Sequence, residues 1–168
     1  MKQVVRHSYK DGKISETRTL GFSPFHYSEL SLSLVIGMIR KNLSPDLLTP
    51  KYRQENLTNP TYGHCYHSTQ SLFYLMDTDC LVPMSGIDYR GDTHWWLQDG
   101  KRVYDVTADQ YYVVGKLPPY QVGKKTQWYG WKQRPHQRSL NLIMKVLDSM
   151  KVSYCYETLK PQTDALTT

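Results

Sequence analysis

A chain of 168 residues is a natural size for one domain around a single core, and its 39% hydrophobic residues are supplemented by the amphipathic bulk of 14 Tyr and 4 Trp. The formal charge of +6 and a pI near 9.1 permit weak affinity for nucleic acid or other anionic surfaces. No apolar run reaches bilayer length, the N-terminus lacks a secretory apolar stretch, and Cys65, Cys80 and Cys155 are an odd number at irregular spacing, which does not suggest a disulfide framework, so the expected setting is a reducing cytoplasm with no membrane contact.

Residues 1–19 alternate weakly around Asp11-Gly12, a hairpin-type turn, and read as two short strands. Residues 27–43 read as a helix with Leu30, Leu32, Leu34, Val35, Met38 and Ile39 on a broad apolar face and Ser28 as its cap. Residues 44–60 carry Pro45, Pro50 and Pro60 and read as loop, with a short turn at 50–55. A second helix spans 65–76, where Leu72, Phe73, Leu75 and Met76 form the apolar face and Gly63 supplies a close turn in front. Residues 81–85 and 87–89 are strand material, and 93–98 with 102–106 form a hairpin. Residues 111–115 are apolar and β-branched, a further strand or the end of a loop, and 117–135 show no periodicity. A closing helix at 139–150 points Leu140, Ile143, Met144, Val146 and Leu147 inward, and 156–168 form a polar, frayed tail. This order, helices and strands without βαβ alternation, predicts one α+β domain over 1–155.

The chemistry concentrates in Gly63-His64-Cys65 and in the hairpin. Asp99-Gly100 is a strong two-residue turn signal. With Gln98 and Lys101 flanking that turn, Leu97 faces Arg102, Trp96 faces Val103, Trp95 faces Tyr104, and His94 faces Asp105. Directly opposed residues share a face with Cβ atoms about 4.5–5.5 Å apart, so His94 and Asp105 can hydrogen-bond. Cys65 opens a helix, where the dipole and free N–H groups favour a thiolate. Its own N–H can donate to an oxyanion. Cys65 as nucleophile, His94 as base and Asp105 as the group that orients the imidazole make a thiol active site.

Each residue also has a bland alternative. A free cysteine is most often a small buried hydrophobe, the expected fate of Cys80 and Cys155. His94 could be a satisfied core histidine, and Asp105 could end a strand. Asp109 lies four residues beyond Asp105 and competes for its role. A metal site from His64, Cys65, His67 and His94 is the weaker option, because no CxxC or HxxxH pair exists. Neither metal nor cofactor is expected. The basic segment 124–138 (Lys124, Lys125, Lys132, Arg134 and Arg138 among Trp128, Tyr129 and Trp131) could contact a nucleic-acid strand, but reads better as a solvated loop with its aromatics tucked onto the core.

Cysteine on a helix, then histidine and aspartate on consecutive strands, is the chain order of papain-like and transglutaminase-like enzymes, arylamine N-acetyltransferases among them. More narrowly, Asn59-Pro60-Thr61-Tyr62-Gly63-His64-Cys65, His94-Trp95-Trp96, Asp99-Gly100 and Val103-Tyr104-Asp105-Val106-Thr107-Ala108-Asp109-Gln110-Tyr111 resemble the small YunG-like proteins. Those show a Gly-Gln-Cys, a His-aromatic pair, a short Asp-Gly turn and an Asp-x-Thr-x-x-Gln-aromatic segment. The likeness covers positions 59–111, with a weaker one in the closing helix. It implies a catalytic helix packed on a small antiparallel sheet and acyl transfer through a Cys65 thioester on a peptide or amide-containing substrate. Water as acceptor makes a protease, amidase or deamidase, and an amine makes an acyltransferase. A binding protein that keeps the fold without turnover is the competing reading. His64 stands where the family has Gln. Asn59 lies six residues before Cys65, the offset at which papain-like proteases place an oxyanion glutamine. Asn59, His64, Trp95, Trp96 and Asp109 are therefore the further candidates for oxyanion or substrate contacts.

Overall fold

The computed structural model describes residues 3–21, 24–129, 135–150 and 156–159, and it opens on two long strands. β1 (Gln3–Lys10) and β2 (Lys13–Gly21) pair antiparallel around Asp11 and Gly12, whose φ angles are 52° and 75°. Two left-handed central residues are the geometry that Asp-Gly favours in a two-residue hairpin. β9 (Tyr156–Leu159) pairs with the other edge of β2. The first four residues of the polar tail are thus strand, since a sheet edge recruits extended backbone through N–H and C=O groups whatever the side chains. Residues 160–168 lie outside the described residues.

α1 (Glu29–Lys41) starts at the cap that the sequence predicts: Ser28 Oγ accepts the Ser31 N–H at 3.1 Å, and Ser31 Oγ accepts the Ser28 N–H at 3.0 Å. Its buried stripe is Leu32, Val35 and Ile39, while Leu30 and Leu34 are exposed, so the apolar face is narrower than the sequence suggests. Leu30 and Leu34 fall off the three- and four-residue spacing that joins the buried three. A 3-10 turn at Pro45–Leu47 leads to α2 (Pro50–Asn56), with Pro50 at its first position, where the missing N–H costs nothing. α3 (Cys65–Leu75) runs into β4 (Met76–Asp77), which pairs in parallel with β3 (Phe25–His26).

β5 (Val82–Ile87), β6 (Thr93–Asp99), β7 (Arg102–Tyr104) and β8 (Lys124–Lys125) form an antiparallel sheet in the order β7-β6-β5-β8. Between them, residues 111–115 are not strand. α4 (Asp109–Tyr112) takes up the first of these residues, with Tyr111 buried and Tyr112, Val113 and Val114 exposed. An apolar β-branched run without an alternating buried face has nothing to hold it in a sheet. α5 (Gln137–Ser149) closes the core, where Leu140, Ile143, Val146 and Leu147 meet Leu72 and Leu75 of α3 and the α1 stripe. Leu142 is buried as well, and Met144 is only partly so. The class is α+β with a small antiparallel sheet. Among the described residues no helix is long and apolar enough to cross a membrane.

The hairpin that carries the site differs from its predicted register. Asp99 pairs with Arg102, Gln98 with Val103 and Leu97 with Tyr104, so Gly100 and Lys101 form the turn. Only Gly100 has positive φ, 56°, the arrangement with glycine first. Asp99 remains in the strand, where its carboxylate accepts the Tyr27 hydroxyl at 2.5 Å. Leu97 faces Tyr104 instead of Arg102, a slip of two residues rather than one. Side chains alternate with period two, so this slip leaves every residue on its predicted face.

Gly63 has φ 81°, and a Cβ there would sit 2.8 Å from Tyr52 Cβ and 2.9 Å from Tyr52 Cγ. Gly91 has φ 83° with open space around it. Gly91→Ala should therefore lower stability only by the left-handed penalty, about 1–2 kcal/mol. Gly63→Ala should add about 1–3 kcal/mol of overpacking to that. Urea unfolding of the two variants checks the difference, and equal midpoints would contradict the close packing of the turn before Cys65.

Candidate active site

The left-handed Gly63 reverses the chain between α2 and α3 and sets Cys65 as the first residue of α3. At that position a backbone N–H has no partner within the helix. The Cys65 N–H has no acceptor among the described residues, since the preceding His64 N–H takes the Thr61 carbonyl and the first turn closes with Ser68 N–H on His64 O. Cys65 is half-buried and lines a cavity of about 520 Å³. Its Sγ lies 3.7 Å from the carbonyl oxygen of Thr93, at the start of β6. The sulfur is therefore held between a helix N-terminus and the strand that carries His94.

His94 is buried, at 1% exposure, and its Nε2 lies 2.6 Å from Asp105 Oδ2. The direct opposition expected from the turn does not occur. β7 ends at Tyr104, and Asp105 reaches His94 diagonally on the shared face. Asp105 is fully occupied: Oδ2 also accepts the Tyr120 hydroxyl at 2.8 Å, and Oδ1 accepts the Thr107 N–H at 2.9 Å. With Nε2–H committed to the carboxylate, Nδ1 is the nitrogen left to gain or lose a proton, and it has no hydrogen-bond partner among the described residues. Burial pushes the imidazole pKa down, but the Asp105 hydrogen bond and then Cys65 outweigh it and hold the ring well above its ordinary value, at about 10. The sulfur is thus close enough to favour the imidazolium. Tyr111 packs edge-on against the ring at 4.8 Å, and Trp96 stacks at 6.0 Å on its other side.

The remaining candidates divide. Trp95 lines the cavity and stacks on Trp128 at 5.5 Å, with Tyr66 edge-on at 4.8 Å. Trp96 is fully buried against Gly123 and Gly86 and forms no cavity wall. Asn59 is buried away from the cavity, and its Nδ2 donates to the Gln110 carbonyl at 2.9 Å, so it ties the segment before Cys65 to α4. Asp109 points outward and pairs with Arg40, which leaves the carboxylate role to Asp105. His64 is sealed, and its Nδ1 lies 2.7 Å from His67 Nε2. Among the described residues no group of three or more His, Cys, Asp or Glu gathers as a metal site. Cys80 is exposed and free, and Cys155, Trp131, Lys132 and Arg134 lie outside the described residues.

Sequence reasoning quoted Thr107 and Tyr111 within the motif but gave them no role, and it missed Tyr120. The first was legible, because Asp-x-Thr is a local turn in which the carboxylate takes the N–H two residues on. Tyr120 comes from an aperiodic loop and carried no signal. No protein-family model, curated protein or solved structure matches this chain.

Burial lowers the pKa of His64 to about 4 and that of His67 to about 3, from an ordinary 6.5. The folded protein therefore binds fewer protons than the unfolded chain between those values and 6.5. Stability from the neutral pair is complete above pH 6.5 and is lost as pH falls, with a slope of about 1.4 kcal/mol per pH unit for each ring. His94 has the opposite sign: its contribution is complete below 6.5 and is lost as pH rises towards about 10. Urea unfolding against pH should show the acid limb, and His64→Gln should flatten it. An acid limb unchanged in that variant would mean that the pair is not buried neutral.

Proposed function

We propose that the protein is a thiol-dependent acyl-transfer enzyme, a cysteine hydrolase of the protease, amidase or deamidase kind, with a papain-like or transglutaminase-like arrangement of Cys65, His94 and Asp105. One observation carries this reading: the sulfur opens onto a cavity, while the imidazole beside it is clamped through one nitrogen and free at the other. His94 Nδ1 takes the thiol proton, and the sulfur attacks the acyl carbon. The oxyanion forms against the Cys65 N–H, a donor worth about 2.7–4 kcal/mol to the transition state. Collapse breaks the bond to the leaving group, which receives the proton from His94, and leaves a thioester. A water molecule then loses its proton to Nδ1, attacks the thioester, and releases the acid and the thiol. Asp105 holds the ring so that the lone pair stays on Nδ1 and stabilises the cation between steps.

The test compares two cysteines in one molecule. Iodoacetamide should label Cys65 well ahead of the exposed Cys80 near neutral pH, with a rate that falls in acid as the thiolate is lost. His94→Ala should remove the advantage. An electrophilic acyl probe should leave its acyl mass on Cys65, and that mass should vanish in Cys65→Ala and fall by about 10²–10⁴ in rate in His94→Ala. Equal, slow labelling of both cysteines would overturn the enzyme reading in favour of a binding protein. Added amine that diverts the acyl group from water would make the acceptor an amine.

A further inference from the structure

Two side chains in the Cys65 cavity have no part in the acyl-transfer chemistry and have chemistry to spare. His67, on α3, lines the cavity at only 5% exposure. Its Nε2 is taken by His64 Nδ1 at 2.7 Å, and its Nδ1 has no partner among the described residues. With Nε2 turned to His64 and the ring lining the cavity, Nδ1 is the ring nitrogen left to serve it. Arg138, in the first turn of α5, also lines the cavity, and its guanidinium makes no ion pair among the described residues. It lies near enough to His67 to disfavour the protonated ring.

The proton on His67 is fixed from behind. His64 Nε2 is buried with no acceptor in reach. A buried N–H without an acceptor is among the rarest features of folded proteins, so the lone pair sits there and the proton sits on His64 Nδ1. His64 then donates to His67 Nε2, and the neutral His67 ring must carry its own proton on Nδ1. The cavity therefore receives an oriented N–H donor from a neutral ring and a cation from Arg138, which together suit a carboxylate. The two acidic side chains of the cavity are placed otherwise. Asp88 accepts the Tyr111 hydroxyl at 3.0 Å and the Arg90 and Asp92 N–H groups, and Asp92 acts on the Lys51 and Tyr62 side.

We infer that His67 and Arg138 form a carboxylate subsite beside Cys65, so that the acyl substrate is an amide or ester bearing a carboxylate. This rests on the acyl-transfer reading of Cys65.

Iodoacetate and iodoacetamide differ only in that carboxylate and test it directly. The ratio of their alkylation rates at Cys65 should exceed the ratio at Cys80 by about tenfold, the worth of one charge-assisted hydrogen bond. His94 adds positive field of its own, so the decisive result is dependence on Arg138. Arg138→Gln should cancel most of the excess and Arg138→Lys should restore part of it. Lys41→Gln, which removes a charge that does not line the cavity, should leave the ratio where it was. A second measurement avoids the thiol: acetate titrated into the Cys65→Ala protein should shift the His67 ring nitrogen signals saturably, and Arg138→Gln should abolish the shift. Equal ratios at the two cysteines, or acetate shifts that persist in Arg138→Gln, would overturn the subsite. If Cys65 labels no faster than Cys80 while acetate still binds, the acyl-transfer reading fails and the subsite stands.

Discussion

The Asp105 carboxylate sits where β7 leaves the sheet, and four groups from three parts of the chain converge on it: His94 Nε2, the Tyr120 hydroxyl, and the N–H and hydroxyl of Thr107. Its side chain is 2% exposed beside an imidazole that is fully buried. A buried ion pair is a poor source of stability, because desolvating both charges costs several kcal/mol per ion. Here the cost is offset by neutral donors that saturate the carboxylate from the sides His94 does not reach. The same bonds fix the order of the chain after the hairpin, since the Thr107 turn starts α4 and Tyr120 brings back the loop beyond it. The geometry of the His94–Asp105 pair and the local folding therefore depend on one set of hydrogen bonds.

The two Asp-Gly dipeptides show how far local turn chemistry can be read. At Asp11-Gly12 both residues take positive φ and the expected pairing follows. At Asp99-Gly100 the same dipeptide yields a turn one residue later, because Asp99 is held in its strand by Tyr27, 72 positions away in sequence. That tertiary bond was invisible in the sequence. The face assignment of His94 and Asp105 survived because the slip was even, whereas an odd one would have buried the carboxylate on the wrong side. The pair was legible by parity, and its distance was not.

α3 was legible only in its second half, where Leu72 and Leu75 supply the apolar spacing. The first half is polar yet buried: Ser68, Thr69, Gln70 and Ser71 are all fully covered. Each has a hydrogen-bonding oxygen in use, Ser68 Oγ donating to the Cys65 carbonyl at 3.2 Å. Thr69 Oγ1 donates to the Trp95 carbonyl at 3.0 Å, Gln70 Oε1 accepts the His136 N–H at 2.8 Å, and Ser71 Oγ donates to Ser139 O at 3.1 Å. These bonds tie the helix to β6 on one side and to the start of α5 on the other. A hydrophobic stripe alone would let a helix slide or rotate by a fraction of a turn, while directional bonds to two neighbours do not. The polar half is what holds the sulfur at a constant height against the Thr93 carbonyl.

The proposed reaction needs the sulfur accessible and the imidazole shielded, and burial differs between the two: Cys65 is half-buried on the cavity while His94 is 1% exposed. Along β6, Thr93 and Trp95 line the cavity, whereas His94 is buried between Tyr111, itself a cavity residue, and the Asp105 carboxylate, and Trp96 is buried against Tyr120. Water can therefore reach the sulfur from the cavity without hydrating the ring from behind, and the low-dielectric surroundings strengthen the pull of Asp105 on the imidazolium. That pull has a consequence for the chemistry. An imidazole held firmly as a cation is a poor acid, so part of that hold must be removable if Nδ1 is to exchange a proton in both directions. Cys65 acts on His94 in the same direction as Asp105 does, and in the proposed reaction its conversion to an uncharged thioester would remove that share. The ring would then become less cationic just when the proposed hydrolysis needs it to accept a proton from water. One sealed imidazole between a carboxylate and a sulfur could thus serve as acid in the first half of the proposed reaction and as base in the second.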